Sequence, residues 1–216
     1  MIGPHGQPGG RAGRAWLRQR LATAQRGVEL LHGKLRMLQL EQQRYHRQAE
    51  ETAAEWAATC REAQMWLTRA ALLGGRRAIA VAAPPEPAEV EVAWTVSMGV
   101  QHPREAVVRG GLPAETAALP GNSALVQAAA SHRTALRAAA RHAAVTVAVL
   151  RIDAEVAATR RRMRAIEDRW IPRLADALQA VELGLEELEI AGGSRVRWWA
   201  THRTAEHATS TPSDQP

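Results

Sequence analysis

"LRQRLATAQRGVELLHGKLRML", residues 17–38, decides the fold. Leu17, Leu21, Ala24, Val28, Leu31, Leu35 and Leu38 recur in alternating steps of four and three. That spacing is the seam of a coiled coil. The same stretch holds Gly27 and then Gly33-Lys34, which invites comparison with a phosphate-binding loop. Such a loop needs four residues between its glycines, so that backbone N–H groups can cradle phosphate, and Ser or Thr after the lysine for magnesium. Here five residues separate Gly27 from Gly33, and Leu35 follows Lys34. The stretch therefore reads as helix. Gly27 and Lys34 are seven residues apart and line the same edge of the seam. A glycine inside a helix costs roughly 1 kcal/mol relative to alanine. At Gly27 two readings stand side by side: a tolerated weak point, or close approach by another chain.

The pattern extends in both directions. Residues 1–13 are rich in Gly and Pro and are expected to be disordered. Gln42 interrupts the seam; Tyr45, Ala49, Trp56, Ala63, Trp66, Ala70 and Leu73 resume it. The first long helix is expected over 14–73. Gly74-Gly75, Pro84-Pro85, Pro87, Pro103, Gly110-Gly111, Pro113 and Pro120-Gly121 then break any helix, which makes 74–121 a connection. Within it, Val90, Val92, Trp94, Val96 and Met98 occupy alternate positions, and a β-hairpin is expected near 89–109. Asn122 or Ser123 can cap a second long helix over 122–191. Its first third is alanine-rich and suits close packing. Its end carries a stripe through Ile166, Trp170, Leu174, Leu178, Val181, Leu185 and Leu188. Pro172 falls inside that stripe and favours a bend. Residues 192–216 read as a flexible basic and polar tail. The fold class is mainly α: a long antiparallel two-helix coiled coil with a small β-hairpin in the central connection. With the turn between Leu73 and Ala124, facing residue numbers sum to about 197, so that Arg26–Leu38 lies opposite Thr159–Ile171.

Composition narrows the function. The 216 residues include seven Trp, one Tyr and no Phe, few aromatics for a large globular core. The abundance of Ala, Leu, Arg, Glu and Gln is that of long helices. Cys60 is the sole cysteine, which excludes an internal disulfide and fits a reducing compartment. Beside the seam, Cys60 is expected to serve packing. The apolar run "AAVTVAVL" (143–150) is far below the ~20 residues of a spanning helix. The start has no apolar secretory core; being Arg-rich and acid-free up to Glu29, it also has the composition of a mitochondrial presequence. His132 and His142, or His202 and His207, lack helical metal-ligand spacing with a second pair. No cofactor and no catalytic residue is indicated.

Two segments carry a family resemblance. "RLATAQRGVELLHGKLRML" (20–38) resembles the N-terminal signature of the D subunit of V-type and archaeal A-type ATPases, through Arg20, Leu21, Ala24, Arg26, Gly27, Leu30, Leu31, Lys34 and Leu38. "TRRRMRAIEDRWIPRL" (159–174) is similar to the C-terminal motif, through Arg161, Arg162, Ala165, Ile166, Glu167, Ile171, Pro172 and Leu174. "LEELE" (185–189) resembles the acidic run that follows, and "MGVQHP" (98–103) the element after the central strand. The family usually has Asp where Arg36 stands and Asn where Arg164 stands, and its last helix continues where Gly192-Gly193 intervenes.

The resemblance implies a non-catalytic rotor shaft. It implies as partners the A and B subunits of the catalytic head, the F subunit of the stalk, and a socket subunit above the membrane ring. It also implies a cytoplasmic location, peripheral to the membrane. Candidate partner-binding residues are Gly27, Lys34, Arg161, Arg162, Glu167, Pro172, Trp56 and Trp66. Arg161 and Arg162 would meet acidic loops of the head; helix-surface pairing with Glu29 or nearby acids is the plainer reading. Trp56 and Trp66 would offer an apolar flank to the F subunit. Two other classes remain open: a coiled-coil scaffold without a motor, and a nucleic-acid-associated coiled coil suggested by a pI near 11.0. Against nucleic acid, acids interleave with the arginines along both helices and would repel phosphate.

Overall fold

A computed structural model describes residues 10–83, 86–110 and 122–209. The element order is α1 (Gly10–Ala82), β1 (Glu89–Ser97), β2 (Val100–Arg109), α2 (Ser123–Ala165), a π-helical turn (Ile166–Trp170) and α3 (Ile171–Thr209). Two compact units form: one from the chain up to Leu31 together with the chain from Arg162 onward, the other from His32–Arg161.

In the His32–Arg161 unit, α1 and α2 run antiparallel. Their contacts hold a nearly constant sum of residue numbers. Lys34 pairs with Glu155, Gln42 and His46 with Asp153, Thr52 with His142, and Glu55 with Arg141. The interface suits its side chains. Leu35, Leu38, Tyr45, Ala63 and Ala70 of α1 are buried, as are Ala128, Ala135, Ala138, Ala148, Ile152 and Val156 of α2. Methyl-sized side chains on one helix let the larger ones of the other lie close to its backbone. At the far end Ala70, Ala124, Leu125 and Ala128 form a cluster, with Trp66 and Ile79 packed on it. Asn122 caps α2, its side-chain oxygen accepting the Leu125 N–H at 3.0 Å.

The break expected at Gly74-Gly75 is a kink. Gly75 has φ 66° and ψ 176°, outside helical space, yet helix resumes to Ala82. A methyl group on Gly74 would come within 2.8 Å of the Asn122 amide nitrogen and 2.9 Å of the Ala78 Cβ. Close approach thus selects the first glycine, and backbone conformation the second.

The hairpin is antiparallel, with Met98-Gly99 as its two-residue turn. Met98 (φ 52°) and Gly99 (φ 80°) both have positive φ, as a type I′ turn requires. Ala93 faces Glu105 and Trp94 faces Pro103, so Arg104 is an extra residue bulged out of β2. Proline, which has no N–H to donate, is tolerated at such a bulge. The alternating valines of β1 face solvent, and burial falls on β2 instead. Ala106 and Val108 pack on Ala140 and Ala144 of α2. The fully buried His102 ring meets the Tyr45 ring edge-on at 5.1 Å.

In the other unit the start of α1 faces α3. Arg18 pairs with Glu182 at 2.6 Å and Arg11 with Glu189 at 3.4 Å. Leu17, Val28 and Leu174 are buried. The bend expected at Pro172 takes the form of the π turn. The Ile171 N–H bonds the Ile166 carbonyl, five residues back. Pro172 donates no hydrogen bond and its ring crowds the carbonyl four residues earlier; widening the preceding turn relieves that crowding.

Three expectations change. Residues 10–13 are helical where disorder was expected. Helix α3 runs through Gly192-Gly193 to Thr209 where a loose tail was expected from 192. One or two glycines in a long helix each cost about 1 kcal/mol, which the flanking turns absorb. Cys60 is exposed and does no packing. The seam skips it because α1 turns about 100° per residue. Residues 1–9, 84–85, 111–121 and 210–216 lie outside the described residues.

Candidate partner-binding site

The residue-level candidates fall into both units and do not converge on one site. Lys34 is committed within the chain. Its Nζ donates to Glu155 Oε1 at 2.7 Å, with both side chains mostly sheltered from solvent. Thr159 also donates to Glu155 Oε1, at 3.5 Å. Within the chain, the lysine charge thus ties the two helices of the coiled coil together.

Trp56 is half exposed and stacks on His142, ring centroids 5.4 Å apart and 24° from parallel. The His142 ring is itself held by Thr52 at 3.1 Å. Trp66 is half-buried on the Ala70 cluster, with Arg69 lying 4.6 Å over its ring. Arg161 and Arg162 are exposed near the end of α2, Glu167 sits half-buried in the π turn, and Pro172 is exposed in the first turn of α3.

Gly27 belongs to a better-formed feature. A groove of about 620 Å³ runs between the start of α1 and the π turn, walled by Trp16, Arg20, Thr23, Gly27, Ile166 and Trp170. A side chain on Gly27 would meet nothing within 4 Å, so this glycine leaves room for the groove and does not mark a close approach within the chain. The Arg20 guanidinium lies 4.8 Å from the Trp16 ring centroid and 5.8 Å from that of Trp170. Each is within cation–π range. Sequence reasoning missed Trp16, Arg20 and Trp170. Trp16 and Arg20 are four residues apart and share a helix face, a signal the sequence offers. The approach of Trp170 depends on the π turn, which period-3.6 reasoning does not anticipate.

Among the described residues no group of His, Cys, Asp and Glu is placed to hold a metal ion, and no helix is long and apolar enough to cross a membrane. Burial raises the Tyr45 hydroxyl above its ordinary pKa, with Arg44 acting in the opposite sense and Glu41 in the same sense.

Comparison with known proteins identifies the family. The profile of the ATP synthase D-subunit family matches residues 15–199. The D subunit of the V-type ATP synthase of Thermotoga neapolitana is 30% identical over 175 residues, covering 80% of this chain and 86% of that one.

Proposed function

Since the chain belongs to the ATP synthase D-subunit family, a component of rotary ATPases, we propose that it is the central-stalk rotor, passing torque between a catalytic head and a membrane ion-translocating ring. The observation that carries this reading is the coiled coil itself. Two antiparallel helices are tied at successive levels by charge-assisted contacts from Lys34–Glu155 to Glu55–Arg141. Such a pair resists twist, and its two unlike helices present a different face in each direction. Inside a ring of three catalytic sites, unlike faces bias each site toward a different nucleotide state through differential contacts. The chain's own part is to pack and to pair charges; it carries out no phosphoryl chemistry.

The partners are those that the family resemblance implies, and the surfaces suggest where each would bind. The A and B subunits of the catalytic head would meet the Trp16–Arg20–Trp170 groove and the arginines around it. The F subunit would cover the flank holding Trp56 and Trp66, and a socket subunit would join the chain to the membrane ring. Membership of this family displaces both the plain scaffold and the nucleic-acid coiled coil.

Cys60 supplies the test. It is exposed and is the chain's sole thiol. A gold nanorod attached there, on a complex reconstituted with the head fixed to glass, should turn stepwise when ATP is added. A nanorod that stays still while the same complexes hydrolyse ATP would sink the rotor reading.

A further inference from the structure

Among the described residues, strand β1 is hydrogen-bonded on one side only. The sheet there has two strands in the order β1-β2; β2 packs Ala106 and Val108 on α2, and β1 touches α2 through Trp94, whose ring lies 4.8 Å from the Arg151 guanidinium. The outer edge of β1 therefore presents its unpaired N–H and C=O groups. Proteins usually blunt such an edge with charged side chains, Lys above all, with Pro, a bulge or a very short strand. Of these β1 has just the carboxylates of Glu89 and Glu91. It is nine residues long, it lacks Lys and Pro, and the bulged residue is on β2. Its Val90, Val92, Trp94 and Val96 stand 39–67% exposed. An apolar ladder beside a free edge is a template for one more strand.

The sequence of β1 says which strand fits. "EVEVAWTVS" (89–97) is self-complementary about its midpoint, Ala93. Laid antiparallel on a second copy, Val90 faces Val96 and Val92 faces Trp94. Glu89 faces Ser97, and Glu91 faces Thr95. Apolar meets apolar and each carboxylate meets a hydroxyl, so no like charges oppose. Glu91 is in addition already neutralised by Arg109 of its own hairpin, at 2.6 Å. Centring on Ala93 is the one register that pairs all nine residues; a shift of two leaves strand ends unpaired. Facing aromatic and β-branched residues add to the pairing.

We propose that two copies of the free chain associate through β1, antiparallel about a twofold axis at Ala93, making a four-stranded sheet from two hairpins. The interface is isologous and closed, so it stops at a dimer. It goes beyond the rotor role and does not rest on it. A chain paired in this way has its β1 edge occupied and withheld from any other strand.

Single-cysteine chains in a Cys60→Ser background test the geometry. Facing residues in such a pair lie about 4.5–5.5 Å apart at Cα, within disulfide reach. Ala93→Cys should therefore give an interchain disulfide on mild oxidation. Glu89→Cys should not, because its two copies lie roughly 27 Å apart at ~3.4 Å per residue. Sedimentation should show a dimer for the unmodified chain, and mostly monomer for Val92→Lys, with the hairpin's circular dichroism unchanged. A monomer at every soluble concentration overturns the proposal. So does a dimer that survives Val92→Lys without Ala93→Cys crosslinking, since it would use another surface. Should Ala93→Cys disturb the hairpin, a Glu89→Cys and Ser97→Cys pair mixed from two preparations must crosslink between chains for the proposal to stand.

Discussion

Lys34 has a role within the chain that its neighbours in sequence do not reveal. As the chain's sole lysine, after a glycine, it invites a phosphate or a partner, yet it is held 2.7 Å from Glu155. Lys34→Met removes the cation held 2.7 Å from the sheltered Glu155 carboxylate. It should cost about 1–2 kcal/mol in chemical denaturation, and Glu155→Gln in the same chain should recover part of that. A full, additive loss from both changes would show that the pair is not coupled. Tyr45 makes a second residue-scale prediction. Its hydroxyl is raised, chiefly by burial, above the ordinary 10.0. The unfolded chain ionises at lower pH than the folded one, so raising the pH favours unfolding. This contribution to stability is complete below pH 10.0 and is lost as pH rises through the folded value. Tyr45→Phe should flatten the alkaline fall in stability. Because Tyr45 is the sole tyrosine, phenolate absorbance follows it directly. Ionisation at or below the ordinary value in the folded chain would contradict its burial.

Among the elements, α2 is specified by what it lacks. Ala128, Ala138 and Ala148 are almost fully buried, and Ala148 has no exposure at all. A larger side chain has no room there without moving α1. Ala148→Leu should lower stability by about 1–3 kcal/mol, although leucine is an excellent helix former; Ala143→Leu, on the exposed face, should be near neutral in the same denaturation series. Equal effects at both positions would mean that α2 does not pack as described. The hairpin shows a different division. Strand alternation was legible in β1 and a hairpin near 89–109 was expected from it, but Met98, expected as a strand position, lies with Gly99 in the turn, and β2 begins at Val100. Which strand is buried was not legible, because β1 is the more apolar of the two and β2 is the one that packs. Attachment to the helices selected the small Ala106 and the flat His102 ring over the valines.

For the whole molecule, one chain must supply both arms of the coiled coil. With Cys60→Ser as background, Glu55→Cys and Arg141→Cys replace a directly contacting pair. A short bismaleimide linker, which spans the space the two long side chains leave, should join them within one chain and give a monomer-sized band of raised mobility on a denaturing gel. Crosslinks solely between chains would mean that the helices pair in trans. The sequence by itself determined two long helices, the antiparallel register near a sum of 197, a cap at Asn122 or Ser123 and a hairpin near 89–109, because seam spacing, caps and strand alternation are local signals with fixed periods; the structure chose Asn122. It also carried the family, since Arg26-Gly27 and Ile171-Pro172 can be read without coordinates. Tertiary structure alone decided that Lys34 is paired, that Cys60 is bare, that helix outlasts Gly192-Gly193, and that Trp16, Arg20 and Trp170 gather at one groove. Each of those depends on side chains far apart in sequence, or on a π turn that shifts the phase of everything after it, and no window of neighbouring residues contains that information.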